Sequence, residues 1–404
     1  MAVTTLKEAI APIRWLNCIF CMGVFEIPIN RPRFLLSAFY VVLATIGYFL
    51  FLFKGMQVFE EAFSYEFIIF YFVLTVNILV ASSAIILFWC KSENLNNIVK
   101  RCSIADNTLE TLGIKKSYPK LFRSILTFMI GWLVAMILLN IMHVMWMYRD
   151  VGYWFTIYSD ICFCLPIMIN SVVDLTFTAL IRCVQVKLQN TNILLNNVVV
   201  CANELCVYKI HDDYENKPIT MVRTYYKNRK DKILHLIQTL RHLHQEITRI
   251  GRAINETFCL QLLLELAVHF TVVTATTYCL YASLIGHINW QIKGEKIIAM
   301  IVWGSVYVFK IIFVNNLCAN ISVEAYKTGE IIQSFGGPLI DNDIKDEIHQ
   351  FTQQIVLNSL KFTAFRFFTL DNCFTGKFFA TVTTYVVILI QMNAPVSTNE
   401  DESL

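Results

Sequence analysis

The chain has 404 residues, of which 56% are apolar and only 16% charged, with 31 Phe and 17 Tyr. A soluble domain carries about 25% charged residues, so the composition argues against a soluble enzyme and for a lipid environment. The net charge of +3 is too small to call for nucleic acid as a partner.

In chain order, residues 1–30 scatter Lys7, Glu8, Arg14 and Glu26 among apolar residues. They lack the clean apolar stretch and small-residue cleavage site of a signal peptide, and neither end carries a lipidation box. Membrane insertion is therefore expected to rest on the first span. Seven stretches then reach the roughly 20 apolar residues that a bilayer core requires, at 34–53, 67–90, 121–147, 153–181, 257–285, 297–321 and 378–394. Soluble helices show a polar stripe, whereas Phe67–Cys90 contains no charge at all. The expected fold is an all-α integral membrane protein with seven transmembrane helices in one domain spanning 1–404.

Lys and Arg set the orientation. Four lie in the N-terminal tail, seven in 91–123, twelve in 182–252 and five in 327–377, all expected on one side. The opposite loops hold only Lys54, Arg149, Lys293 and Lys296, and Lys310 falls inside a span. The N-terminus is therefore expected in the cytoplasm and the C-terminus outside. The sequons at Asn255 and Asn320 fall at cytoplasmic span ends and are expected to stay unmodified. The thirteen Cys lie in spans or on the cytoplasmic side, which predicts free thiols.

Most of the mass outside the bilayer lies in two cytoplasmic segments, 182–256 and 324–377. In the first, Ile233, Leu236, Ile237, Leu240, Leu243, Ile247 and Ile250 share one helical face. In the second, Ile344, Ile348, Phe351, Ile355 and Leu360 keep a similar period after the turn signal Gly336-Gly337-Pro338. Both read as amphipathic helices that continue the spans and pack on each other or on neighbouring subunits. The polar stretch 209–230 reads as a loop. His235, His242 and His244 have no thiolate or carboxylate at ligand spacing and read as solvated helix residues. No phosphate loop, nucleophile elbow or His-Glu-x-x-His occurs, so no enzymatic site, metal or cofactor is expected.

Seven helices bring a G-protein-coupled receptor to mind, but the charge asymmetry is reversed, the outer loops have no cysteine pair, and Asp-Arg-Tyr and Asn-Pro-x-x-Tyr are missing. A transporter would show duplicated hydropathy and broken helices. Here only Pro166 interrupts a span.

The most specific signal is TAFRFFTLDNCFTGKFFATVTTYVVILIQM, from Thr363 to Met392. It resembles the signature of insect gustatory receptors, in which Thr-Tyr, five hydrophobic residues and Gln-Phe close the last helix. Thr384, Tyr385, Val386–Ile390 and Gln391 fit, and Met392 stands where Phe is usual. Phe367–Asp371 is similar to the approach to that helix. The resemblance implies a chemosensory ligand-gated cation channel of the plasma membrane, in a sensory dendrite or axon. It also implies tetramers, homomeric or mixed with related receptors, with four last helices around a central pore and the cytoplasmic helices as an anchor. A small-molecule tastant, monovalent cations, Ca2+ and membrane lipids are the implied partners. Ile388, Gln391 and Met392 are the implied gate. They lie at i, i+3 and i+4 on one face, where an apolar ring can close a pore by dewetting and a polar ring can replace water around a cation. Thr384 and Tyr385, two turns deeper, are expected to pack and hydrogen-bond between helices.

A ligand pocket in such a fold is expected among the outer halves of spans two to six. Those halves hold Tyr71, His143, Trp146, Trp154, Tyr158 and Asp160, and further along Tyr278, Tyr281, Trp303 and Tyr307. Aromatic walls with a few polar groups suit a small organic molecule, and Asp160 offers a carboxylate to a cation. Trp and Tyr are also ordinary residues of membrane interfaces. Deeper in the spans, Glu265 and His269 lie four apart and are placed to pair. Asp174 and Lys310 are costly in lipid and must face protein or water. An odorant receptor subunit that needs a co-receptor is the alternative reading, with a transporter or a G-protein-coupled receptor behind it.

Overall fold

The computed structural model describes residues 3–25, 33–62, 67–151, 153–212, 219–285, 294–335 and 342–392. Within these, the side chains of 55–62, 67–70, 146–151, 153–155, 201–212, 219–229, 285 and 294–296 are not described. Two short helices, α1 (Leu6–Ala9) and α2 (Ala11–Ile19), precede α3 (Phe34–Ala62) and α4 (Phe67–Cys90). Then come α5 (Ser92–Thr111), α6 (Tyr118–Val151), α7 (Tyr153–Asp212), α8 (Ile219–Ile285) and α9 (Gly294–Gln333). The chain closes with α10 (Asn342–Leu357), a two-stranded hairpin of β1 (Thr363–Ala364) and β2 (Phe368–Thr369), and α11 (Asn372–Met392).

Among the described residues seven helices are long and apolar enough to cross a membrane: α3, α4, α6, α7, α8, α9 and α11. The apolar stretches read from the sequence overlap these seven helices, the last of them, 378–394, as far as Met392; residues 393–394 lie outside the described residues. Several run well past the expected ends. At 1.5 Å per residue, the 60 residues of α7 and 67 of α8 reach about 90 and 100 Å, far beyond a core of about 30 Å. Residues 209–212 and 219–230 are helical rather than the expected loop. Low apolar periodicity hid this, because a helix outside the bilayer needs no apolar face where nothing covers it.

The helices are not equivalent. In α7, 83% of the most apolar stretch is buried by the protein itself, against 6% in α3 and 11% in α6. The central α7 packs on α8 and α9, and α3 and α6 lie outside it. One apolar core runs through the helix extensions beyond the spans and the adjoining ends of the spans. It joins Leu188 and Leu195 of α7 to Ile247 and Ile250 of α8, Ile332 of α9 and Phe351 and Ile355 of α10. A second core, at span level, joins Val268 and Val272 of α8, Trp303, Tyr307 and Ile311 of α9, and Phe378, Val382 and Val386 of α11.

Polar contacts pin the extensions. Asn192 donates to the carbonyl of Glu324 at 3.0 Å and to its carboxylate at 2.7 Å, and accepts from Thr328 at 2.6 Å. Arg241 meets Glu347 at 2.5 Å, and Lys187 is paired with Asp106 of α5. His235 and His242 are exposed as expected. His244 is not: it is buried, its ring packs edge-on against Phe351, and its Nε2 lies 3.3 Å from the carbonyl oxygen of Ala325. The helix α5, not anticipated from the sequence, ends in a Schellman turn. Gly113 takes φ 96°, with Gly113 N–H on Glu110 O and Ile114 N–H on Leu109 O, both at 3.0 Å.

Candidate functional site

The approach to α11 is built from the hairpin. Its three-residue loop puts Phe365 (φ 48°) and Arg366 (φ 63°) in the left-handed region, which costs non-glycine residues roughly 1–2 kcal/mol each. Pairing of Leu370 N–H with Phe362 O at 2.9 Å and of Phe367 N–H with Ala364 O at 3.0 Å holds the turn. The buried amide of Asn255 on α8 clamps β1 from both sides: Oδ1 accepts from Thr363 N–H at 2.9 Å and Nδ2 donates to its hydroxyl at 3.2 Å. Asp371 then caps α11, accepting from Phe374 N–H at 2.7 Å.

On α11, Phe378, Val382 and Val386 turn inward to α8 and α9. The Tyr385 ring meets Phe270 of α8 edge-on, with centroids 5.3 Å apart, yet the residue is half exposed. Thr384 is exposed too, and its hydroxyl bonds back to Ala380 O at 3.0 Å within its own helix. Thr381, Thr384, Ile388 and Gln391 recur at three, four and three residues along the exposed side of α11, which also shows Thr383, Tyr385 and Val387, with Met392 beside it. Gln391 makes no hydrogen bond among the described residues. The chain thus leaves a mixed stripe on its last span without a partner of its own.

A second constellation lies between the spans. His143 of α6 is buried, stacks on Phe163 of α7 with centroids 5.6 Å apart, and meets Trp303 of α9 edge-on at 6.5 Å. Phe163 meets Trp303 edge-on at 6.2 Å, and Tyr307 follows one turn on, 6.5 Å from Trp303. The indole Nε1 of Trp303 and Oδ1 of Asn170 are buried without hydrogen-bond partners among the described residues. The buried Asp160 accepts from the Cys164 thiol at 3.3 Å. Of the expected pocket residues, His143, Trp303 and Tyr307 come together. Phe163 completes the group and was missed, because a Phe inside an apolar span carries no signal of its own; Asn170, two turns on in α7, donates to Asn77 Oδ1 at 3.5 Å. Tyr158 instead bonds the backbone of Phe51 on α3. Tyr71, Tyr278 and Tyr281 are half-buried elsewhere along their helices. The side chains of Trp146 and Trp154 lie outside the described residues.

The intramembrane charges form a third group. Lys310 Nζ lies 2.6 Å from Asp174 and donates to Ser171 at 3.2 Å, so the two costly charges meet each other. Glu265 does not pair with the His269 ring. Its carboxyl lies beside Asp174 and receives Gln261 Nε2 at 3.3 Å, while His269 packs edge-on against Tyr307 at 5.4 Å. Helical spacing alone put Glu265 and His269 on one face, but the carboxyl turns to the neighbouring helix. His269 thus borders the aromatic group, and its neighbour Phe270 touches α11 at Phe378 and Tyr385.

With this geometry in hand, comparison with known proteins is informative. The 7tm Chemosensory receptor family profile matches residues 15–393. Putative gustatory receptor 28b of Drosophila melanogaster is 21% identical over 310 residues, which is 75% of this chain and 65% of that protein. Gustatory and pheromone receptor 32a of the same fly is 28% identical over 149 residues, 37% of this chain and 32% of that one. Gustatory receptor for bitter taste 66a is 27% identical over 166 residues, covering 40% and 31%. The matched stretches therefore span between about a third and two thirds of these relatives. The solved insect olfactory receptor OR5 from Machilis hrabei superposes with a TM-score of 0.66 at 12% identity, covering 96% of this chain and 98% of that one. Its complex with eugenol matches equally well, at 13% identity. The profile runs from α2 to the end of α11, and on that extent the chain belongs to the 7tm chemosensory receptor family.

Proposed function

We propose that the chain is a gustatory receptor subunit that opens a cation pore when a small organic molecule enters the His143–Phe163–Trp303 group. The observation that carries the pore assignment is the exposed stripe Thr381, Thr384, Ile388 and Gln391 on α11. The Thr hydroxyls are satisfied within their own helix, but the unpartnered Gln391 amide facing hydrocarbon is unfavourable; four copies facing each other around water satisfy it. Ile388 then supplies the dewetting ring and Gln391 the uncharged polar ring, which favours weak discrimination among monovalent cations and admits Ca2+. The Lys and Arg asymmetry supports an N-terminus and extensions in the cytoplasm, with Met392 near the outer mouth.

The buried, unpartnered Trp303 N–H supplies a polar partner of the kind a mostly apolar pocket needs. The eugenol held by the olfactory receptor supports a small aromatic ligand for this group as well. The adjacent residues His269 and Phe270 of α8 join pocket to pore helix, one bordering each. The gustatory relatives support taste over smell; the olfactory fold match supports the alternative of a subunit that needs a co-receptor.

The test is a tastant panel on cells expressing this chain alone, read by calcium and patch current. The expected result is an inward current that Ile388→Ala and Gln391→Ala alter in gating or permeation while surface expression persists. Unchanged currents in both variants refute the pore assignment; current only with a second subunit selects the co-receptor reading.

A further inference from the structure

A cleft of about 1170 Å3 separates α1 and α2 from α5 and the start of α6, larger than the about 300–1,000 Å3 of sites for drug-sized ligands. It lies apart from the aromatic group and from the α11 stripe. Its described lining carries four cations, Lys7, Arg14, Lys100 and Arg123, against a single carboxylate, Glu8. Glu8 is engaged in the capping box of α1, accepting from the backbone N–H of Thr4 at 2.8 Å and of Thr5 at 3.2 Å. Lys100 and Arg123 are exposed and make no ion pair or hydrogen bond among the described residues.

The rest of the lining is apolar. Trp15, Phe122 and Leu126 face the cleft, and Arg123 stands where the apolar stretch of α6 begins. Trp15 is 52% and Ile19 57% exposed on α2, the amphipathic arrangement of a helix lying in a headgroup layer. A cationic rim above an apolar wall at a span end matches a molecule with an anionic head and a hydrocarbon body. A soluble anion would leave the wall unused, and an apolar ligand would leave the cations unused.

We infer that this cleft holds an anionic phospholipid, its phosphate groups between Lys100, Arg123 and Arg14 and an acyl chain along Trp15, Phe122 and Leu126. Basic pockets between membrane helices bind phosphorylated headgroups in this way. On the orientation proposed above the lipid belongs to the cytoplasmic leaflet. The chemistry of the cleft does not depend on that reading, and a measurement in micelles separates the two.

The full-length protein in neutral detergent is titrated with phosphatidylinositol 4,5-bisphosphate, phosphatidylcholine and soluble inositol trisphosphate, and adducts are read by native mass spectrometry. The expected order is the anionic lipid far ahead of both other probes. Lys100→Ala/Arg123→Ala, both exposed side chains, is expected to weaken the anionic lipid about tenfold or more without changing thermal stability in phosphatidylcholine micelles. Lys100→Glu serves if the double variant folds poorly. Lys327→Ala, an exposed lysine on the α9 extension, is expected to change nothing. Equal binding of phosphatidylcholine, equal binding of the soluble headgroup, or an equal loss in Lys327→Ala each overturns the inference.

Discussion

The carbonyl of Cys162 has lost its helical partner, because Pro166, four residues on in α7, has no N–H to give it. The Tyr48 hydroxyl of α3 donates to that carbonyl instead, at 3.0 Å. This one bond both repairs the helix and ties the peripheral α3 to the centre. Tyr48→Phe is expected to cost about 1–3 kcal/mol, the desolvation of a buried acceptor left unmade; denaturant unfolding in detergent reads it, and unchanged stability sinks the account. Asp174 and Lys310 follow the logic of a buried pair, where removing one partner costs about 3–5 kcal/mol and removing both costs much less. Lys310→Met is thus expected to be severe and Lys310→Met/Asp174→Asn milder. A cycle in which the two losses simply add refutes the coupling. That these charges had to find partners was legible in the sequence, since hydrocarbon tolerates nothing else. That Glu265 joins Asp174 rather than His269 was not, because it depends on the rotation of α8 against α7.

At the scale of elements, the apolar face read along α8 is buried as anticipated at Ile237, Leu240, Leu243, Ile247 and Ile250. Ile344, Phe351, Ile355 and Leu360 form the matching surface from the other segment. What periodicity did not disclose is how closely they meet. A Cβ at Gly251 stands 3.0 Å from Leu360 Cδ1 and 3.1 Å from Cδ2, so the glycine lets the chain beyond α10 lie on α8. Gly251→Val is expected to destabilise by about 1–3 kcal/mol through overpacking. Adding Leu360→Ala is expected to recover part of that loss in the same unfolding assay; no recovery places the clash elsewhere. The hairpin before α11 escaped the sequence reading for a similar reason. Two left-handed non-glycine residues carry no turn signature, and their conformation persists because Asn255, over a hundred positions earlier, grips Thr363.

For the whole molecule, the proposed tetramer and orientation are checked together. The full-length protein in lipid nanodiscs is expected to have the mass of four chains, and a tag after Leu404 is expected to be reachable on intact cells. A monomer with a competent current, or a tag reached only after permeabilisation, refutes them. The sequence by itself determined the solvent, the number of spans and the charge asymmetry, because length, apolarity and Lys/Arg position act locally at each stretch of chain. It also carried the family, through the pattern that ends in Gln391. Only the tertiary structure decided which helix is central, which aromatic residues meet His143, and which partner each buried charge takes. Those outcomes depend on the relative rotation and depth of helices that are uniformly apolar, and a uniformly apolar helix does not encode which side faces its neighbours. The seventh span, α11, is the exception among them: its buried Phe378, Val382 and Val386 and its exposed Thr381, Thr384, Ile388 and Gln391 divide it into two faces, and the fold sets the first against α8 and α9.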